Sequence, residues 1–275
     1  MSDLEWLTAQ ILASTKYREI VPELVQRIGA QELDKRRSLK EAVKATKNKL
    51  HQVGGAYQQT KLNYEKSLEL LRETACTEPV EVAVSNPNEL RASCRQLMQA
   101  HASTRERLPI LDEFYETIFA NLPPIHTVLD LACGLNPLVY PWLPLPGDVQ
   151  FTAVDIYSDM LTFIQEFFEL TGVNGRTQQR DIIGNPPTEP YDLILLLKTL
   201  PCLEQVDKNA AVNLLDKLNG RYLLISYPAQ SLGGRSKGMV ENYTQQFEAL
   251  ANGRNWQVQR FEFATELAFL VQTNR

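Results

Sequence analysis

Hydrophobic spacing divides the chain at Pro124. Before it, apolar positions recur at helical intervals; after it, they gather in short runs between turns. Residues 3–72 read as helices. Leu39, Val43, Thr46 and Leu50 fall at i, i+4, i+7 and i+11, one face of a helix, and Gly54-Gly55 reads as its stop. The stretch from Thr74 to Asn88 has two prolines, small residues and no helical period, as a linker or tolerated insertion would. Helical spacing returns from Glu89 to Phe119 and ends at Asn121-Leu-Pro-Pro124.

The second part reads as strands alternating with helices. Expected strands are Thr127–Leu131, Val149–Asp155, Tyr191–Leu197 and Tyr222–Ser226, with a third-strand position before Asp181 and a closing hairpin of Trp256–Phe263 and Glu266–Val271. An apolar helix covers Met160–Leu170. This alternation predicts an α/β fold with a doubly wound sheet. The expected organisation is a helical domain over 1–73, a linker or insertion over 74–88, helices over 89–124 leading into the sheet, and an α/β domain over 125–275.

Composition narrows the class. The 275 residues are 44% apolar and 22% charged, ordinary globular values. The longest strongly apolar run, Leu193–Leu197, falls far short of the roughly 20 residues of a membrane helix. The N-terminus, MSDLEWLTAQ, lacks the basic-then-apolar pattern of a secretory signal. Cys76, Cys94, Cys133 and Cys202 form no CxxC pair and have no histidine at metal spacing. They read as reduced thiols of a cytoplasmic protein with no membrane segment and no metal.

Charge is uneven. The formal net charge is −5, yet residues 1–75 hold 13 Lys/Arg against 10 Asp/Glu, and Lys35–Lys49 holds seven basic residues and one acid. Arg36, Lys40, Lys44 and Lys47 form a basic stripe beside the apolar face. Such a stripe is either a solvated helix face or a track for phosphates.

Candidate chemistry lies at the strand ends. Val128-Leu-Asp-Leu-Ala-Cys-Gly-Leu-Asn-Pro137 runs a strand into Asp130 and a small-residue turn at Gly134. Ala132 stands where the dinucleotide GxGxxG fingerprint needs its first glycine, which argues against NAD. The looser turn suits S-adenosylmethionine (SAM), although an ordinary βα turn has the same look. Asp155 ends the next strand, where a carboxylate can accept both ribose hydroxyls. Asp181 follows the third strand, within reach of an adenine edge. Singly each acid is a common turn residue; three at successive strand ends make a constellation. Asn185-Pro-Pro-Thr188 resembles an amino-methyltransferase motif, but it precedes the fourth strand and lacks the aromatic, so it reads as a loop.

The fourth strand ends in Lys198-Thr-Leu-Pro-Cys-Leu-Glu204. Pro201-Cys202 opens a cytosine-C5 reading, in which a cysteine thiolate attacks the base; a small packed cysteine starting a helix is the plainer one. Ser226–Met239 carries three glycines with Arg235 and Lys237, a basic loop suited to phosphate contacts or simply solvated. His101-Ala-Ser-Thr-Arg-Glu-Arg107 precedes an apolar helix, as a cap region or as a carboxylate clamp.

Together HASTRERLPILDEFY (His101–Tyr115), DLACGLNP (Asp130–Pro137), LLLKTLPCLE (Leu195–Glu204), SLGGRSKGM (Ser231–Met239) and KLHQVGGAY (Lys49–Tyr57) resemble the aminoglycoside-resistance 16S rRNA methyltransferases. The pattern is that of the actinomycete antibiotic producers. These enzymes methylate N7 of guanosine 1405 in the 30S subunit. Thr74–Asn88 matches nothing in that pattern.

The resemblance implies a Rossmann-like, class I SAM-dependent fold with a helical rRNA-docking domain, acting as a monomer. It implies that Arg107 holds the SAM carboxylate, the Gly134 turn lies beside the methionine part, Asp155 takes the ribose and Asp181 the adenine. The wider cofactor set is His101, Arg105, Arg107, Asp130, Ala132, Gly134, Asp155, Asp181, Ile182 and Leu197. Lys198, Glu204, Arg235 and Lys237 would surround the target base and its phosphates. Arg36, Lys40, Lys44 and Lys47, with Arg235 and Lys237, would contact RNA. Alternatives are a cytosine-C5 enzyme using Cys202 and a non-catalytic ribosome-binding protein.

Overall fold

The computed structural model describes residues 1–55, 57, 62–74, 87–229 and 238–274. Helices α1 (Asp3–Leu12), α2 (Pro22–Lys35), α3 (Leu39–Leu50) and α4 (Tyr64–Thr74) build the N-terminal part, followed by α5 (Pro87–Met98), α6 (Ala102–Arg107) and α7 (Leu111–Phe119). Then come β1 (Thr127–Leu131), β2 (Gln150–Asp155), α8 (Ser158–Thr171), β3 (Gly175–Gln179), β4 (Pro190–Leu197), α9 (Leu200–Glu204), α10 (Ala210–Lys217), β5 (Asn219–Pro228), α11 (Met239–Ala251), β6 (Gln257–Glu262) and β7 (Glu266–Gln272).

Among the described residues the strands form one sheet in the order β3-β2-β1-β4-β5-β7-β6. The five strands β1 to β5 pair in parallel, and β7 runs antiparallel between β5 and β6. The chain steps outward from β1 to β3, then returns to β4 on the other side of β1. Ligands of open α/β sheets sit outside the carboxyl ends of the strands at such a switch point.

The apolar run in β4 follows from burial on both faces. Leu193, Leu195 and Leu197 point to the face covered by α8 and the N-terminal helices, while Ile194 and Leu196 meet the face of α10 and α11. Gly172, in the left-handed conformation (φ +67°), ends α8 one residue past its last turn.

The N-terminal helices are hydrogen-bonded onto the sheet. Val21 N–H donates to Ile156 O at 2.9 Å, Ser158 N–H to Glu19 O at 2.9 Å, and Gln179 Nε2 to Glu19 O at 2.9 Å. An isolated antiparallel bridge pairs Ile20 with Tyr157.

The structure amends some local expectations. Gly54-Gly55 does not stop α3; the helix widens into a π turn over His51–Gly55. Arg36 lies outside α3, as the C-cap of α2, because Ser38 caps α3 by accepting from Glu41 N–H. The pattern Glu89–Phe119 is three segments, interrupted at 99–101 and by a 3-10 turn (Leu108–Ile110) at Pro109. Most of Thr74–Asn88 lies outside the described residues. Among those described, no helix is long and apolar enough to cross a membrane.

A Cβ on Gly175 would overlap the Phe168 ring, whereas one on Gly147 would meet nothing within 4 Å. Gly175→Ala should cost about 1–3 kcal/mol in urea unfolding, with Gly147→Ala near neutral. Equal stability of the two variants would contradict the packing of α8 on β3.

Candidate active site

The carboxyl ends of β1, β2 and β4 open into a cleft, where ligands of open α/β sheets sit. Its floor contains Ala132 (φ +52°) and Lys198 (φ +59°), each directly after a strand. A left-handed L-residue costs about 1–3 kcal/mol and persists only where neighbours hold it. Here Cys133 N–H bonds Val154 O at 3.0 Å and Lys198 N–H bonds Ser226 O at 3.0 Å. Gly134 (φ +52°) favours glycine for two reasons: its backbone is left-handed, and a Cβ would approach the His101 ring to 2.7 Å.

Two carboxylates line the cleft. Asp155 Oδ2 accepts Gly134 N–H at 2.9 Å and Oδ1 accepts Ile156 N–H at 2.7 Å. Burial pushes its pKa up, and these backbone donors pull it partly back. Asp181 Oδ2 and Oδ1 accept the Arg27 Nε and Nη2 donors at 2.6 and 3.0 Å, and Oδ1 also accepts Ile183 N–H at 3.1 Å. Ile156, Tyr157, Met160 and Ile182 supply apolar wall, with Leu197 on the β4 side. His101 faces the same cleft, stacked on Tyr57 with centroids 6.3 Å apart. Its Nδ1 is buried with no hydrogen-bond partner among the described residues. Burial, then the charges of Lys198, Arg107 and Arg105, hold its pKa at about 4, so the ring is neutral at pH 7.

Behind the cleft lies a buried ionic cluster. Arg107 is 0% exposed. Its Nε and Nη2 donate to Glu266 at 3.0 and 2.7 Å, and Nη1 donates to Asn136 Oδ1 at 2.8 Å. Lys198 Nζ meets Glu106 at 2.8 Å, Glu266 at 3.3 Å and Ser103 O at 3.3 Å. Asn136 also accepts from Tyr115 Oη and donates to Asp130 Oδ2. Burial alone would raise the Glu266 pKa, but Arg107 and Lys198 together hold it below the usual carboxylate value. Burial pushes Asp130 up to about 7.

The sequence model of the FmrO family, described as "Ribosomal RNA methyltransferase (FmrO)", matches residues 13–270. The chain belongs to this family. A 16S rRNA (guanine(1405)-N(7))-methyltransferase from Micromonospora echinospora is 38% identical over 264 residues, covering 95% of this chain and 94% of that protein. One of the same description from Micromonospora rosea is 37% identical over 98% of this chain and 96% of its own length. The crystal structure of 16S rRNA methyltransferase RmtF in complex with S-adenosyl-L-homocysteine superposes with a TM-score of 0.82 at 30% identity, covering 100% of this chain and 99% of that one.

This methyltransferase is SAM-dependent, and the donor set fits that cofactor. Two carboxylates can accept from hydroxyl and amine groups, the walls between them are apolar, and an orphaned His101 nitrogen adjoins the Gly134 turn. Of the residues expected around the cofactor, His101, Ala132, Asp155, Asp181, Ile182 and Leu197 line the cleft together. Gly134 and Asp130 lie beneath it, in the hydrogen bonds given above. Arg105 is half-buried on α6. The guanidinium fork of Arg107, expected on a cofactor carboxylate, is held by Glu266 in this arrangement.

Lys198 lines the cleft, but its ammonium is tied to two carboxylates and is not a free cation. Glu204 is half-buried, and burial raises its pKa. Arg235 and Lys237 lie outside the described residues. Lys40 and Lys44 are exposed on α3 and Lys47 partly so, whereas Arg36 is bonded to buried Glu32 from the end of α2. Asn185-Pro-Pro-Thr188 is a loop, as expected. The Cys202 thiol sits 3.0 Å from Tyr57 Oη, and burial pushes its pKa up to about 11, the wrong direction for an attacking thiolate.

Glu266, Asn136, Glu106 and Arg27 are absent from the sequence-based set. For Glu266 a signal existed: in Glu266-Leu-Ala-Phe-Leu-Val271 the acid shares a face with buried Ala268 and Leu270. An acid on that face needs a buried cation.

Two outcomes follow from these charges. Glu266→Ala leaves Arg107 and Lys198 buried without their shared partner, and should cost about 3–5 kcal/mol in chemical denaturation; a loss below about 1 kcal/mol would contradict the cluster. Second, the unfolded chain protonates His101 near pH 6.5, while the folded chain resists until about pH 4. Stability from this residue therefore falls as pH drops through that window, by about 3 kcal/mol. Asp130 acts oppositely, because its raised pKa favours the folded state as pH falls from 7. The quantity to measure is thus the difference between wild type and His101→Gln, from urea unfolding at pH 7 and pH 4. Parallel pH profiles would refute the neutral, buried ring.

Proposed function

We propose that this chain methylates N7 of guanosine 1405 in 16S rRNA, within the assembled 30S subunit in the cytoplasm, and so confers aminoglycoside resistance. What carries the proposal is a cleft with Asp155 and Asp181 at successive strand ends, in a chain that matches G1405 N7-methyltransferases over nearly its full length.

SAM supplies an electrophilic methyl group on a sulfonium. Guanine N7 has an in-plane lone pair and no proton to lose, so the protein needs neither a general base nor a covalent nucleophile. Its task is alignment and exclusion of water, which can lower the barrier by about 7–11 kcal/mol. Asp155 and Asp181 orient ribose and adenine; both retain acceptor capacity beyond the bonds described. Arg107, which has N–H groups beyond those given to Glu266 and Asn136, is assigned to the carboxylate of the cofactor. Positive charge moves onto the purine during transfer. Glu204 stabilises that cation, and Arg235 and Lys237 hold the flanking phosphates; Lys198 holds the base edge only by giving up one of its bonds to Glu106, Glu266 or Ser103 O.

Residues 1–73 form the docking domain. Lys40, Lys44 and Lys47, with Arg36 at the α2 end, follow rRNA phosphates, a salt-sensitive and sequence-independent contribution. So few contacts leave specificity to the shape of the assembled subunit. Flipping the guanosine costs a few kcal/mol, offset by docking. The enzyme acts as a monomer without metal.

The test uses tritiated SAM with purified 30S subunits and, in parallel, naked 16S rRNA, followed by borohydride–aniline cleavage at the modified base. Label in 30S alone, with cleavage at guanosine 1405, is expected. Cys202→Ser should change the rate by less than about tenfold, while Glu204→Gln should lower kcat with little change in KM for SAM. Label without cleavage, together with loss of activity in Cys202→Ser, would move the assignment to cytosine C5. Failure to bind SAM would make the chain a non-catalytic ribosome-binding protein.

A further inference from the structure

The bidentate pair between Arg27 and Asp181 joins the N-terminal helices to the wall of the cofactor cleft. Arg27 lies on α2, one turn after Leu24, which itself lines the cleft. Its Nε and Nη2 bracket both Asp181 oxygens, and the side chains are 20% and 3% exposed. The Arg27 Nη1 atom is buried with no partner among the described residues. A guanidinium is thus held in the interface for the sake of this one carboxylate. Gly184 leaves room for it: a Cβ there would come within 2.8 Å of Asp181 Oδ2 and 3.4 Å of Arg27 Cδ. Arg27 is fixed in turn, because the segment leading into α2 is bonded to the ends of β2 and β3 through Glu19 and Val21.

The geometry points to Arg27 as a positioning residue: it orients the Asp181 carboxylate, so that the docking domain sets the recognition of the adenine amine. This rests on the assignment of Asp181 to the adenine. A carboxylate pinned on one side by a planar fork presents its remaining lone pairs in one direction. By linkage, whatever shifts α2 against the sheet on rRNA docking changes cofactor affinity, and the reverse.

The experiment is calorimetric titration of the full-length protein with S-adenosylhomocysteine and with S-inosylhomocysteine, in which an oxo group replaces the 6-amino group. The variants are Arg27→Met, Arg27→Lys, Asp181→Asn and Arg27→Met/Asp181→Asn, each checked for folding by near-UV circular dichroism. Arg27→Met should weaken S-adenosylhomocysteine about tenfold, the scale of one charge-assisted hydrogen bond, and barely alter S-inosylhomocysteine. Arg27→Lys, which keeps charge but loses the fork, should fall between and serves as the test if the methionine variant does not fold. The double variant should bind no more weakly than Asp181→Asn. Equal losses for both ligands, or losses that add in the double variant, would overturn the role of Arg27. If Asp181→Asn leaves the preference for the amine unchanged, the assignment of Asp181 fails instead, a result distinct from an Arg27 variant that binds like wild type while Asp181→Asn does not.

Discussion

Arg107 and Lys198 are both taken out of water behind the cleft, and Glu266 lies between them. A charge in such a place costs several kcal/mol unless a counter-charge and hydrogen bonds accompany it. Glu266 can serve both only if β7 lies beside β5 in the observed register, with Glu266 opposite Pro228. Lys198 can reach it only because the backbone after β4 turns left-handed. Arg107 arrives from α6, and Asn136 extends the set to the turn after β1. The end of the sheet, the turn beneath the cleft and the short helix α6 are thus tied together by one carboxylate.

The same arrangement governs the electrostatics offered to the reaction. Two cations and three carboxyl groups, Glu106, Glu266 and, through Asn136, Asp130, sit within one hydrogen-bonded group, and burial raises the Asp130 pKa to about 7, so the charges behind the cleft largely offset one another. That suits a transfer in which positive charge is moved and none is created. Burial acts alongside it: among the described residues of the cleft, His101 is kept neutral, packed on Tyr57 and Gly134, and the Cys202 thiol is held far from ionisation. The structural effort goes into shape, consistent with a nucleophile that carries its own lone pair.

Strand positions were legible because a buried parallel strand has few alternatives: a short apolar run must lie flat in the sheet and leave its last residues at the rim. Asp155 and Asp181 could be found at those rims, and Ala132 as the odd residue in a glycine position. Partners distant in sequence were not legible. Arg27 meets Asp181 across the whole N-terminal part of the chain, and nothing in the spacing of α2 marks that arginine apart from its charge. Arg107 was visible as a clamp but not its partner, since pairing of β7 with β5 decides it. The basic spacing runs on through the Ser38 cap to Arg36, although that cap separates Arg36 from α3.

Leu24, Val53, Gly54 and Tyr57 come from the N-terminal part of the chain, yet they line the same cleft as Asp155 and Asp181. The cleft is therefore not a property of the shared α/β scaffold alone. A competitive inhibitor built only to mimic adenosine would address features repeated across methyltransferases with this sheet. One extended toward Tyr57 and the π turn would touch surface contributed by the appended helices. Selectivity, and so a route to restoring drug sensitivity without poisoning unrelated methylation, is written into which part of the chain supplies that wall.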